Sequence, residues 1–176
     1  MFCAGEPPFD LTVVIVTYNS AAVIEGCLAS LRAGAGRLSV EVLLVDNAST
    51  DDTIEVLACH PSTILTRNTT NAGFAEACNK GIRTARGRHL LLLNPDAVVA
   101  PNALEQLVAA LERYPEVGLI GPSLTNPTDG AFRASLGRVP SLGSLFSRWT
   151  PASTFLASGG RVGGDLPLIR LRVMAT

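Results

Sequence analysis

Two hydrophobic periodicities alternate along the first 125 residues of the chain. Residues 11–18 and 40–47 are apolar runs rich in β-branched residues and leucine, a composition typical of buried strands. Between these runs, apolar side chains recur at i, i+3, i+4 and i+7: Ile24, Cys27, Leu28 and Leu31. This spacing predicts an amphipathic helix, which Ser20 caps and which ends at the glycine-rich residues 34–36.

The alternation continues after the second strand. Ser49 and Asp52 have the spacing of a capping box, which predicts a helix start, and residues 62–68 predict a weaker third strand. The next helix presents three apolar residues on one face: Phe74, Cys78 and Ile82. It leads into a continuous apolar run at residues 89–94, which predicts a buried fourth strand.

The last regular elements predicted before residue 126 are a helix and a strand. Pro101 suits the first turn of a helix, and Tyr114-Pro115 ends it. Residues 117–121 predict a fifth strand. Because short apolar strands alternate four times with helices, the sequence predicts an α/β fold whose mostly parallel sheet is covered by helices on both faces.

The pattern changes at residue 126. Residues 126–176 are turn-rich and show no sustained periodicity until residues 169–173 alternate as a short strand does. Residues 1–130 hold 8 Lys and Arg against 14 Asp and Glu, a difference of −6, whereas the rest of the chain holds 6 Arg and 1 Asp, or +5. We therefore expect an α/β domain over residues 1–125, followed by an irregular basic tail.

Composition bounds the class of protein and its compartment. The arginines of the tail lack interleaved aromatic residues, which argues against nucleic acid, and a solvated tail is favoured over one that meets phosphates or an anionic membrane surface. The four cysteines lack metal-ligand spacing and are predicted to be small buried groups. With neither a leader nor an apolar run of about 18 residues, we expect a cytoplasmic protein, with peripheral attachment to the inner face of the membrane as the alternative.

Polar side chains follow each predicted strand at its carboxyl end. They are Thr17, Tyr18 and Asn19 after the first strand, Asp46, Asn47 and Ser49 after the second, Asn68, Asn71 and Gly73 after the third, and Asn94 and Asp96 after the fourth. Ligands of parallel α/β sheets bind outside this edge. Each group also has a structural explanation by itself, since Asn19 suits a helix cap and both Asp46 and residues 71–73 suit turns.

Asp96 is the residue that a structural explanation fits least. It follows "LLLLNP" and precedes "AVV", so its carboxylate is flanked by apolar sequence without an adjacent Lys or Arg. Burying an unpaired carboxylate is costly unless a cation meets it. A hard divalent cation such as Mg²⁺ or Mn²⁺, which keeps some waters and binds phosphate oxygens, satisfies one carboxylate. The sequence therefore predicts a metal ligand at Asp96.

Four segments together resemble one known family. "VVIVTYNS", "VDNASTDDT", "NAGFAEACNKGI" and "LLLNPDAVV", in this order and spacing, resemble the donor-binding half of family 2 glycosyltransferases with the GT-A fold, particularly the rhamnosyltransferase-like branch. The resemblance covers about residues 11–125, with a weaker echo at residues 138–141. It implies a metal-dependent, inverting enzyme that transfers a sugar from a dTDP- or UDP-sugar to a cell-envelope glycan or lipid-linked acceptor, as in cell-wall biosynthesis.

The resemblance also implies roles for individual residues. The implied donor-binding residues are Thr17, Tyr18, Asn19, Asp46, Asn71, Gly73, Asn79 and Asn94. Thr17 and Tyr18 are expected to line the base pocket, and Asp46 to accept the imide N–H of a uracil or thymine ring. Asn94 and Asp96 match the first and last positions of the family's DXD-type metal motif, which makes Asp96 the implied ligand of Mg²⁺ or Mn²⁺.

The sequence departs from the family pattern in its second part. The general base of the family normally comes from the second half of a considerably longer enzyme. Asp165 ends a Gly-Gly-Asp segment but lacks the surrounding aromatic residue and second acid, so no catalytic base is assigned. Residues 126–176 are an irregular basic tail or part of an acceptor-side segment. A truncated or degenerate transferase that binds nucleotide without catalysis is the alternative function.

Two other enzyme classes fit the sequence less well. Nucleotidyltransferases usually carry a glycine-rich signature with Lys or Arg after the first strand, and "TYNSAAVIEG" offers no such cation. A dinucleotide-binding oxidoreductase requires a GxGxxG segment there, which is also missing. Because half of a domain with exposed apolar surface is expected to find a partner, homo-oligomerisation stays open.

Overall fold

A four-stranded parallel sheet forms the centre of the part of the chain that the structure describes. The structure is a computed structural model, and it describes residues 7–125, 132–133 and 170–173. The strands are β1 (Phe9–Thr17), β2 (Val40–Asp46), β3 (Ile64–Arg67) and β4 (Gly87–Leu93), in the spatial order β3-β2-β1-β4. They are connected by helices α1 (Ala21–Ala35), α2 (Thr53–Ala58) and α3 (Phe74–Thr84). The predicted α/β fold is confirmed.

The main hydrophobic core lies on one face of this sheet. It is formed by β1, β2, α1, α2 and a fourth helix, α4 (Ala103–Arg113). Its fully buried side chains include Val13, Ile15, Ile24, Leu44 and Leu104. Burial of each such side chain contributes about 1.5–3 kcal/mol to folding, which explains why the apolar periodicity of the sequence predicts these elements well.

The other face is covered only in part. There α3 packs over β1 and β2, and it places Gly81 so close to Val14 that an added Cβ would lie 2.5 Å from the Val14 Cγ1 atom. On the same face Leu90 and Leu92 of β4 stay 42% and 45% exposed. The predicted buried fourth strand is therefore an edge strand in the described sheet, and that part of the prediction was wrong.

A second, smaller sheet contains strands that the sequence predicted only in part. Its strands are β5 (Ala97–Val99), β6 (Ser123–Thr125), β7 (Phe132–Arg133) and β8 (Arg170–Val173), in the order β5-β8-β6-β7. The strand predicted at residues 169–173 is confirmed as β8. The strand predicted at 117–121 does not form. Gly118 and Gly121 disfavour extended structure, and Leu119, which is 91% exposed, adds no buried contact to offset them. The division at residue 125 stays a prediction.

The predicted helix caps are wrong in their side-chain contacts. Ser20 stands at the N-cap of α1, but its hydroxyl makes no capping bond and contacts the backbone of Tyr18 instead. Ser49 forms no capping box with Asp52, because α2 begins three residues later than predicted, with Asp52 itself at the N-cap, and the Ser49 hydroxyl oxygen accepts from the Asn19 N–H at 3.0 Å.

The structure corrects the predicted burial of three side chains. Helix α3 buries Cys78, but Phe74 is 55% and Ile82 39% exposed, because its buried side is formed by small residues. Cys27 is buried as expected, whereas Cys59 is exposed near the end of α2. Cys3, Asp165 and the segment at 138–141 lie outside the described residues. Among the helices that the structure describes, none is long and apolar enough to cross a membrane.

Candidate functional site

The carboxyl ends of the parallel strands meet at one edge of the sheet. Thr17 of β1 pairs with Asp46 of β2, which pairs in turn with Arg67 of β3, while β4 ends beside β1 at Leu93. The polar residues that follow the strands are therefore brought together, beginning with Tyr18, Asn47, Asn68 and Asn94. We call this region the carboxyl edge. The expectation that the polar clusters share one edge is confirmed.

Asp46 lies at the centre of the carboxyl edge and has no exposed surface. Its Oδ1 atom accepts hydrogen bonds from the Thr17 hydroxyl, at 3.0 Å, and from the Ser49 hydroxyl, while its Oδ2 atom accepts one from the Ser49 backbone N–H at 3.1 Å. Thr17 is equally buried, whereas the neighbouring Tyr18 is 50% exposed. Contact between Asp46 and a nucleobase therefore requires at least the Ser49 hydroxyl to turn away, and it stays a prediction.

Asn19 and Asp51 join the loop after β1 to the loop after β2. Asn19 has a φ of 50°; its backbone N–H donates to the Ser49 hydroxyl at 3.0 Å, and its side-chain oxygen accepts from the Thr50 N–H at 2.8 Å. Asp51 accepts from the first backbone N–H of α1 at 3.1 Å. A hydrogen bond from the Thr53 hydroxyl holds the pKa of Asp51 below its usual range. These contacts give the loops one joint conformation.

The loop before α3 is held by a buried asparagine. Asn47 is 2% exposed; its side-chain oxygen accepts from the Ala72 N–H at 3.3 Å, and its side-chain amide donates to the Gly73 carbonyl at 3.1 Å. Gly73 has a φ of 85°, which glycine adopts without steric cost, and its N–H donates to the Asn71 side chain at 3.0 Å. Asn71, Gly73 and Asn79 are all exposed and accessible to a ligand.

Asn94 and Asp96 flank a turn between β4 and β5. Asn94 is exposed, and its backbone carbonyl accepts from the Ala97 N–H at 3.2 Å. Within the described part of the chain, the buried Oδ1 atom of Asp96 has no hydrogen-bond partner. Burial, and then the nearby Asp96 carboxylate, raise the pKa of the Cys27 thiol to about 12.

Asp96 is not part of a complete metal cage within the described residues. Among residues 7–125, no group of three or more His, Cys, Asp and Glu side chains is placed to hold an ion. The unpartnered oxygen of Asp96 nevertheless fits a single carboxylate ligand, and the side chain of exposed Asn94 carries a second hard oxygen nearby in sequence. The residues therefore fit a cation whose remaining ligands are water and phosphate oxygens.

Sequence reasoning did not single out Lys80, although it belongs to the carboxyl edge. Its Nζ atom donates to the Asn68 side-chain oxygen at 2.7 Å, and the Asn68 side-chain amide donates to the Asn47 side-chain oxygen at 2.8 Å. The signal available in the sequence is a lysine next to Asn79 in a segment with no other cation. A connection between residues as far apart in the chain as Asn47 and Lys80 is visible only in the fold.

A cavity of about 550 Å³ lies away from the carboxyl edge. It is bounded by β4, α4 and the segment that follows α4, and its lining is mostly leucine and valine. His89 reaches it from β4, and the Nε2 atom of His89 has no hydrogen-bond partner among the described residues. Since Arg88 and His89 are the only polar side chains among the described residues that line this cavity, whereas four loops bring polar groups to the carboxyl edge, the carboxyl edge remains the candidate site.

Comparison with known proteins finds relatives that match most of the chain. The chain matches the family model "Glycosyl transferase family 2" over residues 12–162. It is 33% identical over 144 residues to an N-acetylglucosaminyl-diphospho-decaprenol L-rhamnosyltransferase of Mycobacterium tuberculosis, and the match covers 75% of this chain and 46% of that protein. The chain therefore spans less than half the length of this relative.

Solved structures share the fold. The structure of S. aureus TarS 1–349 in complex with UDP-GlcNAc matches with a TM-score of 0.55 and 23% identity, over 74% of this chain and 37% of that one. The mannosyltransferase PcManGT from Pyrobaculum calidifontis, in complex with GDP-Man and Mn²⁺, matches with a TM-score of 0.51 and 28% identity, over 69% of this chain and 37% of that one. The GT-A fold is confirmed, and this chain belongs to glycosyl transferase family 2.

Proposed function

We propose that this chain is the donor-binding part of an inverting glycosyltransferase that transfers a sugar from a dTDP- or UDP-sugar to a cell-envelope glycan or lipid-linked acceptor. The observation that carries the proposal is the convergence of four polar loops at the carboxyl edge, where Asp46 is hydrogen-bonded to Thr17 and Ser49 and Asn47 holds the loop before α3. The rhamnosyltransferase relative supports the acceptor class and the rhamnosyltransferase-like assignment. A cytoplasmic location, peripheral membrane attachment and a homo-oligomer remain predictions.

The base of the nucleotide is proposed to bind beside Tyr18. The half-exposed Tyr18 ring offers an apolar face for stacking, while Thr17 and Asp46 lie behind it as a hydrogen-bonded pair. Asp46 then accepts the imide N–H of uracil or thymine once Ser49 releases one of its oxygens. The exposed loop before α3, with Asn71 and its neighbours, closes on the donor from the other side.

The diphosphate is proposed to bind near Asp96 together with a divalent cation, Mg²⁺ or Mn²⁺. Asp96 supplies the carboxylate and Asn94 a side-chain oxygen. A bound cation neutralises the negative charge that develops on the leaving nucleoside diphosphate, which lowers the barrier to transfer. The chain's own residues bind and orient the donor, and the group that deprotonates the acceptor hydroxyl is left unassigned.

Calorimetric titration with UDP and dTDP, each with and without Mn²⁺, tests the proposal. We expect binding of at least one nucleotide to strengthen with Mn²⁺, and Asp96→Asn to abolish that dependence. Tyr18→Ala should weaken binding about tenfold, since stacking on an aromatic ring is worth about 1–3 kcal/mol per base. Glu112→Gln is the matched control, because Glu112 is exposed on α4 outside the carboxyl edge. Wild-type protein that binds neither nucleotide under any condition would contradict the proposal.

Nucleotide binding without catalysis is the second candidate for residues 1–176 by themselves. It is favoured by their span of only 46% of the rhamnosyltransferase relative, and by the lack of an assigned general base in the chain. Both candidates predict the same titration results. Sugar transfer measured with these 176 residues alone and a dTDP- or UDP-sugar would exclude the second candidate.

A further inference from the structure

Lys80 occupies a position in α3 that none of the roles above explains. It is the single lysine of the chain and is partly buried. Ion pairs between the described residues involve arginines and His89, and Lys80 takes no part in them. Instead, its ammonium group donates to the Asn68 side-chain oxygen at 2.7 Å. A partly buried ammonium that pairs with a neutral amide rather than a carboxylate is not explained by charge pairing.

The contact begins a chain of hydrogen bonds that ends at the loop before α3. Lys80 donates to the Asn68 side-chain oxygen, and the Asn68 side-chain amide donates to the Asn47 side-chain oxygen at 2.8 Å. Asn47 in turn accepts from the Ala72 N–H and donates to the Gly73 carbonyl. Four contacts thus connect a helix side chain to the backbone of the exposed loop.

Lys80 sets the donor-to-acceptor direction of this series of hydrogen bonds. An ammonium group only donates, so the Asn68 oxygen must face Lys80 and the Asn68 amide must face Asn47. With Asn68 in that orientation, the Asn47 side-chain oxygen faces the Ala72 N–H, as the observed conformation of the loop before α3 requires. If Asn68 turned over, Asn47 would have to turn as well, and its amide would then face the Ala72 N–H, donor against donor. Lys80 and the loop therefore impose the same arrangement on both asparagines.

We infer that Lys80 is a positioning residue, which acts through Asn68 and Asn47 to hold the loop before α3 in the conformation that receives the nucleotide. This inference rests on the function proposed above and adds a residue that the function itself did not require. Without the ammonium group, the loop before α3 keeps this conformation for a smaller fraction of the time. The apparent affinity for nucleotide falls in proportion to that fraction.

Lys80→Met and Lys80→Arg test the inference against an Arg83→Met control. Methionine keeps the apolar stem without the donor, and arginine is again a donor-only group. Arg83 lies on the same helix, but its exposed side chain pairs with Glu76 instead of the asparagines. Two quantities are measured for each variant: the amide hydrogen exchange rate of Ala72 by NMR without ligand, and the Kd for UDP and dTDP by calorimetry.

Lys80→Met should speed exchange at Ala72 and weaken nucleotide binding, each about fivefold, whereas Lys80→Arg and Arg83→Met should stay within about twofold of wild type. Weaker binding with unchanged exchange at Ala72 would overturn the inference, because it points to direct contact between Lys80 and the nucleotide. Unchanged binding by Lys80→Met would overturn it as well. If the wild type binds neither nucleotide, the proposed function fails, and the exchange rate still decides whether Lys80 holds the loop.

Discussion

Replacement of Glu41 by glutamine should destabilise the fold at the end of the sheet opposite the carboxyl edge. The Glu41 carboxylate is buried in β2 and accepts four hydrogen bonds: from the Thr12 hydroxyl at 2.8 Å, the Arg86 backbone N–H at 3.0 Å, and the Arg86 Nε and Nη2 atoms at 2.7 Å each. These contacts fix the turn between α3 and β4 against β1 and β2. Glu41→Gln keeps the shape of the side chain and removes one acceptor oxygen.

The magnitude follows from counting the donors that lose their acceptor. Whichever oxygen becomes an NH₂ group, it faces two donors, because each carboxylate oxygen of Glu41 accepts two hydrogen bonds. Hydrogen bonds to charged groups contribute about 1.5–3 kcal/mol each. Since the Arg86 side chain is 55% exposed, water compensates part of the loss, and we take the lower figure, about 3 kcal/mol in all. For a domain of this size that corresponds to a Tm lower by roughly 10 °C.

Urea unfolding followed by circular dichroism measures this loss, with Glu76→Gln as the matched control. Glu76 also pairs with an arginine, but both side chains of that pair are more than 60% exposed, so its replacement should cost less than about 0.5 kcal/mol. Nucleotide affinity should be unchanged in Glu41→Gln, since Glu41 lies at the opposite end of the sheet from the carboxyl edge. A loss for Glu41→Gln below about 1 kcal/mol would refute the account of the buried carboxylate.

The same carboxylate should make stability depend on pH. Burial alone raises the pKa of Glu41, but the hydrogen bonds from Arg86 and Thr12 outweigh it and hold the pKa below its ordinary value of 4.5. Because the pKa of Glu41 is lower in the folded than in the unfolded state, ionised Glu41 stabilises the fold fully at pH values above its unfolded pKa. This stabilisation is lost as the pH falls through the folded pKa. The stability difference between wild type and Glu41→Gln should therefore shrink below about pH 4.5.

Three further predictions concern single positions. Gly87→Ala should lower stability by about 2 kcal/mol in urea unfolding, because the new Cβ lies 2.4 Å from the backbone of β1; an unchanged midpoint would contradict this close approach of β4 to β1. Ala48→Gly should raise stability by about 0.5 kcal/mol, since Ala48 has a φ of 64°; a loss would show that the side chain makes a compensating contact. In a Cys3→Ser variant, Cys59 alone should react rapidly with a thiol reagent at pH 8, because Cys27 and Cys78 are buried and burial raises the pKa of both thiols, that of Cys27 to about 12; rapid reaction of either would contradict its burial.

Local sequence was sufficient for much of the fold and for the location of the site. The strands around Val13 and Leu44 and the helix around Ile24 follow from apolar periodicity, because burial of these side chains drives folding whatever their partners are. The convergence of Tyr18, Asn47 and Asn94 at one edge follows from parallel strand direction alone. Four motifs in order then sufficed to identify the family.

The burial and the hydrogen-bond partners that the sequence did not predict depend on contacts between groups that are distant along the chain. Leu90 and Leu92 look buried in sequence but lie on an edge strand, since their exposure depends on which neighbour pairs with β4. Ser49 lies three residues before the N-cap of α2, and its hydroxyl joins Asp46 to Asn19 instead, because folding brings both groups within its reach. The partner of Lys80 is likewise set by the packing of α3 against β1 and β2, and only the tertiary structure decides such contacts.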